Sequence, residues 1–236
     1  MGRLAGKVVV IIGASRGIGL AIAHGLGRDG ANLALIGRDR QALRRAAAQV
    51  PGDALPLVAD VTHPGQVRRV FSLIRRRYRH IDVLVNSAGF FTYKPFARTT
   101  LRDWRANIEG NLTALFLTIR AALPLLERSR AAQVVNILSI SSRQAFPNCS
   151  AYSASKFGAL GLTQVLREEL RARGIRVTAI LPGSTDTRLV KAFDFPVDRS
   201  KLVQPQDVAQ AVLGALLQPV RATVEEIILL PSCGRL

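Results

Sequence analysis

Cysteine and lysine are scarce in this chain, and each scarcity narrows the reading. Cys149 and Cys233 are too few for the multi-bridge framework that holds small secreted domains together. Cys149 stands three residues before a tyrosine singled out below, where it reads as a small unreactive side chain or as part of a site rim. Lysine occurs only at positions 7, 94, 156, 191 and 201, so 33 − 5 leaves 28 arginines. Sixteen acidic residues leave a formal charge of +17. Aromatic residues make up 6% of the chain, and few exposed-looking ones are interleaved with basic runs such as Arg44-Arg45, Arg68-Arg69 and Arg75-Arg76-Arg77, as base stacking would require. The basic residues therefore read as solvated helix faces, and a nucleic-acid partner is not expected. No apolar run reaches the ~18 residues that span a bilayer, and the first residues do not read as a secretory signal. A cytoplasmic protein without a membrane partner and without a metal is expected.

What is present suits one folded unit. A chain of 236 residues with 48% hydrophobic content and nineteen glycines can bury one sizeable core. Strand patterns fall near 7–12, 32–36, 54–58, 81–85, 133–138, 175–181 and 225–230. Helical patterns lie between them, near 17–28, 40–49, 64–78, 102–127, 151–173 and 206–217. Alternation of this kind builds a parallel sheet with helices on both faces, and no composition shift divides residues 1–236.

Two motifs carry chemistry. Lys7 to Ile12 reads KVVVII, a buried-strand pattern that runs into Gly13-Ala14-Ser15-Arg16-Gly17-Ile18-Gly19 and then a helix. Strand, glycine turn and helix in that order make a pyrophosphate cradle, because glycines admit a close approach and the new helix offers free N–H groups. In Tyr152-Ser153-Ala154-Ser155-Lys156 the tyrosine and lysine share one helix face. A cation ~4 Å from a phenol stabilises phenolate by about 4 kcal/mol at an effective dielectric near 20. That equals a drop of up to ~3 units from the usual phenol value of about 10, less the cost of desolvation.

Together these residues resemble the short-chain dehydrogenase/reductase family, over nearly the whole chain. Gly13, Gly17 and Gly19 match its glycine pattern, and Asp60-Val61 its acidic residue after the third strand. Asn86-Ser87-Ala88-Gly89 matches its Asn-Asn-Ala-Gly motif, Asn111 its helix asparagine, and Ser139 the serine thirteen positions before the tyrosine. Pro182-Gly183, with Thr185 and Thr187 following, matches its turn after the sixth strand. Ile12 replaces the usual threonine and Ser87 the second asparagine. The resemblance implies a Rossmann-type doubly wound sheet of seven parallel strands in one domain, with a short substrate lid over 188–202. Phe193, Phe195 and Pro196 hint at an apolar wall there.

The resemblance also implies roles. Ser139, Tyr152, Lys156 and Asn111 would be catalytic: Tyr152 exchanges the proton, Ser139 holds the substrate oxygen, Lys156 lowers the tyrosine pKa and holds the nicotinamide ribose. Asn111 would position a water linking Lys156 to solvent. Gly13, Ser15, Arg16, Gly17, Ile18, Gly19, Arg38, Asp60, Val61, Asn86, Ala88, Gly89, Pro182, Gly183, Thr185 and Thr187 would hold the cofactor, with Tyr152 and Lys156. Arg38 and Arg16 suit the 2′-phosphate of NADP(H), whereas an acidic residue would suit NAD(H). Asp39 beside Arg38 is the competing candidate for that ribose. The expected reaction is hydride transfer between nicotinamide and a carbonyl or secondary alcohol, such as reduction of a ketone or a 3-oxoacyl thioester. An acidic acyl carrier protein would then meet Arg128, Arg130, Arg171 and Arg173. NAD-dependent oxidation of a secondary alcohol or diol, and a non-catalytic dinucleotide-binding regulator, are the alternatives. A homodimer or homotetramer is expected.

Overall fold

The computed structural model describes residues 2–193 and 197–234. Strand β1 (Val8–Ile12) is β-branched throughout and buried at every position, as a strand covered on both faces requires. Its neighbours are β2 (Asn32–Gly37) on one side and β4 (Val83–Asn86) on the other. Strand β3 (Ala54–Val58) forms one edge of the sheet and tolerates Pro56 there. Beyond β4 lie β5 (Gln133–Ile137), β6 (Arg176–Pro182) and β7 (Glu226–Leu229). The order is β3-β2-β1-β4-β5-β6-β7, and every pair is parallel.

Alternate residues of β1 feed two cores. Val9 and Ile11 join Ile22, Ala23 and Leu26 of α1 (Gly17–Arg28), Leu43 of α2 (Arg40–Gln49), and Val208 and Val212 of a C-terminal helix, Pro205–Leu216. Val10 and Ile12 join Val70, Phe71 and Ile74 of α3 (Pro64–Tyr78) and further helices on the opposite face. The chain reverses direction across the sheet between β1 and β4. Loops following these two strands part there and open a crevice along the C-terminal strand edge.

Most element boundaries fall within two residues of the sequence pattern, but the single helix expected over 102–127 does not form. It divides into α4 (Leu101–Ile108), a π-helical turn (Glu109–Thr113) and α5 (Ala114–Leu126). Thr100 and Asp103 close the front of α4 with a reciprocal capping box. The widened turn has a tertiary cause, the anchoring of Asn111 described below. The next helix, α6 (Ser150–Arg171), carries Tyr152 and Lys156 in its first two turns, and Pro205–Leu216 is α7.

Candidate active site

The crevice has a volume of about 1320 Å³, above the ~300–1,000 Å³ of a typical small-molecule site. A dinucleotide and a second, smaller molecule fit such a space. Gly13, Ser15, Arg16, Gly17, Ile18, Gly19, Arg38, Asp60, Val61, Ala88, Gly89, Ser139, Tyr152, Lys156, Pro182, Gly183, Thr185 and Thr187 all line it. Asn86 and Asn111, also named from the sequence, do not border it and stand behind its wall.

The glycine loop is shaped by close approach. Gly13 has φ +82°, and a Cβ there would lie 2.7 Å from the backbone nitrogen of Ala88. A Cβ at Gly19 would lie 2.3 Å from the carbonyl oxygen of Gly13. Side chains at either position would push the loop off β4 or off α1. No side chain caps the start of α1, and no acidic residue lies in its first turn. Its leading N–H groups therefore face the crevice ready for an anion, which fits the pyrophosphate of a dinucleotide.

At the other end, Tyr152, Ser139 and Lys156 converge from two elements. Ser139 follows β5, is buried, and accepts a hydrogen bond from the Ser141 amide at 3.1 Å. Its hydroxyl lies close enough to Tyr152 to favour the phenolate. Lys156 is only 4% exposed. Its Nζ donates to the Ile137 carbonyl at 3.3 Å and stands 5.7 Å from the centre of the Tyr152 ring.

By charge alone, one lysine on the same helix face would lower the tyrosine pKa. The structure reverses that direction. Burial pushes Tyr152 up to about 12, against the lowering effect of Ser139. Burial also pushes Lys156 down to about 8. Both groups lie where charge is poorly solvated, and desolvation outweighs their mutual effect in the chain alone. Cys149 is buried against the same crevice and is pushed up to about 11 by burial, which makes it an inert thiol.

Asn111 is fully engaged by the backbone beside the site. Its Oδ1 accepts from the Phe90 amide at 2.8 Å, and its Nδ2 donates to the Phe90 carbonyl at 2.8 Å and to Ser155 Oγ at 2.9 Å. Ser155 Oγ in turn donates to the Tyr152 carbonyl at 2.7 Å. The π turn thus ties the loop after β4 to the helix that carries the tyrosine.

Asn86, expected on the cofactor, points into the core instead. Its Nδ2 donates to Asn136 Oδ1 at 2.9 Å, and its Oδ1 accepts from Thr118 Oγ1 at 2.8 Å. Asn136 continues the chain to Thr163 Oγ1 on α6 at 3.0 Å. This buried network joins α5, β4, β5 and α6 behind the crevice, and every named polar atom in it has a partner.

The cofactor end separates Arg38 from Asp39. The Asp39 carboxylate accepts from the Ala42 amide at 3.0 Å and caps α2. That backbone hydrogen bond, aided by Arg45 and Arg16, holds its pKa below the usual carboxylate value. Arg38 is exposed, with Nη1 3.8 Å from Asp60 Oδ2. Burial raises the Asp60 pKa, but hydrogen bonds from the Thr62 amide and hydroxyl, with Arg38 and His63, outweigh it and leave it lowered.

Sequence reasoning passed over Phe91 and Tyr93. The Phe91 ring lies 4.7 Å from that of Tyr152, and Phe193 lies 5.2 Å from Tyr93. The aromatic run after Gly89 was the available signal. Phe195 and Pro196 of the anticipated wall lie outside the described residues. The four arginines proposed to meet an acyl carrier do not border the crevice. They sit near the N-terminal ends of β5 and β6, across the sheet from the site. Arg173 pairs with Glu127 at 2.7 Å, Arg171 with Glu168 and Glu225, and Arg128 donates to the Arg79 carbonyl. Within one chain, the geometric basis for a carrier protein is lost. Among the described residues no group of His, Cys, Asp and Glu could hold a metal ion, and no helix is long and apolar enough to cross a membrane.

A doubly wound parallel sheet whose switch-point crevice joins a glycine loop to a Ser–Tyr–Lys set defines an NAD(P)-dependent oxidoreductase. The chain belongs to the short chain dehydrogenase family, whose model matches residues 7–195. An uncharacterized oxidoreductase of Staphylococcus aureus (strain USA300) is 36% identical over 229 residues, covering 97% of this chain and 98% of that protein. One from Staphylococcus saprophyticus is 36% identical over 235 residues, covering 98% and 100%. Among solved structures, a metagenomic short-chain oxidoreductase in complex with NADP is similar at 31% identity and TM-score 0.82, covering 97% and 98%. The alcohol dehydrogenase of the archaeon Thermococcus sibiricus, complexed with 5-hydroxy-NADP, has 28% identity and TM-score 0.86 over the same shares.

Proposed function

We propose that this chain is an NADP(H)-dependent carbonyl reductase that converts a ketone to a secondary alcohol. The observation that carries the reading is the convergence of Ser139, Tyr152 and Lys156 at one end of a crevice whose other end is the glycine loop. When bound, the nicotinamide supplies the hydride. Tyr152 donates its phenolic proton to the carbonyl oxygen, and Ser139 donates a hydrogen bond to the same oxygen as negative charge grows on it. A phenol raised to about 12 stays protonated across the physiological range, which is the form reduction needs. The phenolate left behind recovers its proton from solvent. Lys156, protonated below about pH 8, steadies that phenolate and would hold the nicotinamide ribose.

Selectivity for NADP(H) rests on the residues after β2. Asp39 is committed to capping α2, while Arg38 is exposed beside the crevice with Arg16 across the loop. A guanidinium hydrogen-bonded to a phosphate contributes about 1.5–3 kcal/mol, roughly ten- to a hundredfold in affinity. The test follows NADPH and NADH oxidation over a panel of ketones, quinones and a 3-oxoacyl thioester, with Tyr152→Phe and Arg38→Asp alongside. Turnover with NADPH is expected to vanish in Tyr152→Phe. Arg38→Asp is expected to weaken NADPH at least tenfold more than NADH. Turnover surviving in Tyr152→Phe would sink the mechanism, and an unchanged cofactor ratio in Arg38→Asp would sink the selectivity.

A further inference from the structure

Three rings crowd the substrate side of Tyr152. Phe91 meets Tyr152 edge to face, with centroids 4.7 Å apart and planes at 84°. Phe193 meets Phe91 at 5.5 Å and 67°, and meets Tyr93 at 5.2 Å and 74°. All three are half-buried and line the crevice, so each packs on its neighbours while part of it faces the open space. Phe146, Pro147, Leu189 and Val190 complete the apolar surround.

Proton transfer requires none of these rings. Leucine and valine would exclude water from Tyr152 equally well, yet a chain with only 6% aromatic residues gathers three rings here. In edge-to-face packing a ring's positive edge seeks another ring's negative face. A flat ring entering beside Tyr152 continues the pattern. A saturated ring of equal size gains the area burial but not the quadrupole match. The arginines that suit phosphate, Arg16 and Arg38, follow β1 and β2, on the other side of the β1–β4 switch point from this pocket, which follows β4, β5 and β6; Arg188 and Arg199 also border the crevice.

Resting on the carbonyl-reductase reading above, we propose that the substrate is a ketone bearing an aromatic ring. The ring lodges against Phe91, Tyr93 and Phe193, with the carbonyl at Tyr152 and Ser139. Each favourable ring pair is worth about two- to tenfold beyond area burial.

The test compares benzylacetone with its cyclohexyl analogue, in which a saturated spacer isolates the carbonyl from the ring electronically. With NADPH, kcat/KM is expected to favour the aromatic ketone by about fourfold or more, given two or more such pairs. Tyr93→Leu and Phe193→Leu should each lower that ratio by about two- to tenfold, chiefly through KM, with NADPH fluorescence titration checking that each variant is folded. A ratio near one in the wild type, or one unmoved by both substitutions, overturns the proposal. Saturation-transfer NMR of the two ketones on the NADPH-loaded chain reads ring preference without turnover. Ring preference in binding without turnover would uphold the aromatic site and remove the reductase reading. Turnover of both ketones without preference would do the reverse.

Discussion

At the scale of single residues, burial decides the protonation of the site, and it does so with a definite sign. Lys156 titrates at about 8 when folded, against an ordinary value of 10.5. Between those values the unfolded chain holds a proton the folded chain has lost, so stability rises with pH across that window. Tyr152, about 12 when folded against an ordinary 10.0, keeps its proton longer in the folded state, so its contribution falls as pH rises above that ordinary value. Cys149, about 11 against 9.0, falls in the same way above its own ordinary value. A pH series with Lys156→Met isolates the amine. Without cofactor, the urea midpoint of the wild type should gain on that of the variant between about pH 7.5 and 9.5. A constant gap would mean that Lys156 stays solvated. Tyr152 and Lys156 were legible as a pair because four residues on a helix bring two side chains together. The direction of their pKa shifts was not, since desolvation depends on Phe91, Ile137 and other residues far away in the chain.

At the scale of elements, the π turn is where local pattern and tertiary demand part. Residues 102–127 carry enough apolar periodicity to read as one helix, and the lone Gly110 is only a weak local mark of a break at Glu109–Thr113. The partners that hold the turn open, Phe90 and Ser155, lie 21 and 44 positions from Asn111. Asn111→Leu keeps the volume and removes all three hydrogen bonds, leaving the Phe90 amide and carbonyl without their partner. At about 0.5–1.5 kcal/mol for each of the three hydrogen bonds lost, the variant is expected to lose roughly 2–4 kcal/mol in urea denaturation without cofactor. A loss below ~0.5 kcal/mol would show that water replaces the side chain, since even one lost hydrogen bond costs about that much. The same logic explains Asn86. Its place at the end of β4 was readable, but its orientation depends on Thr118 and Asn136, which come together only when the sheet is assembled. The glycine loop, by contrast, is specified by residues next to one another and was read with its bounds intact.

For the whole molecule, the layered architecture followed from alternation alone, because each buried strand and amphipathic helix announces itself locally. Assembly leaves a weaker mark. Leu101 of α4, Phe116 of α5, and Phe157 and Val165 of α6 are exposed on one chain, as are Val220 and Ile228 near the β7 edge. Two separate apolar surfaces suit a closed symmetric oligomer. Light scattering is expected to return the mass of two or four chains, and Val165→Asp to lower it. A mass equal to one chain for the wild type would rule the oligomer out. The charge of +17 acts at this scale as well. It raises encounter with an anionic dinucleotide in a salt-dependent way, whichever arginines finally touch it.

The capping role of Asp39 has a bearing on how such a chain changes over evolutionary time. The carboxylate best placed to greet a ribose diol is already holding the first turn of α2. A lineage drifting toward NAD(H) through Asp39 would surrender a helix start to gain a ligand, and each intermediate would be less stable than its ancestor. Replacing Arg38 avoids that penalty, because among the described residues its one ion pair is the long one to Asp60. The easier path to a new cofactor therefore runs through the neighbouring codon.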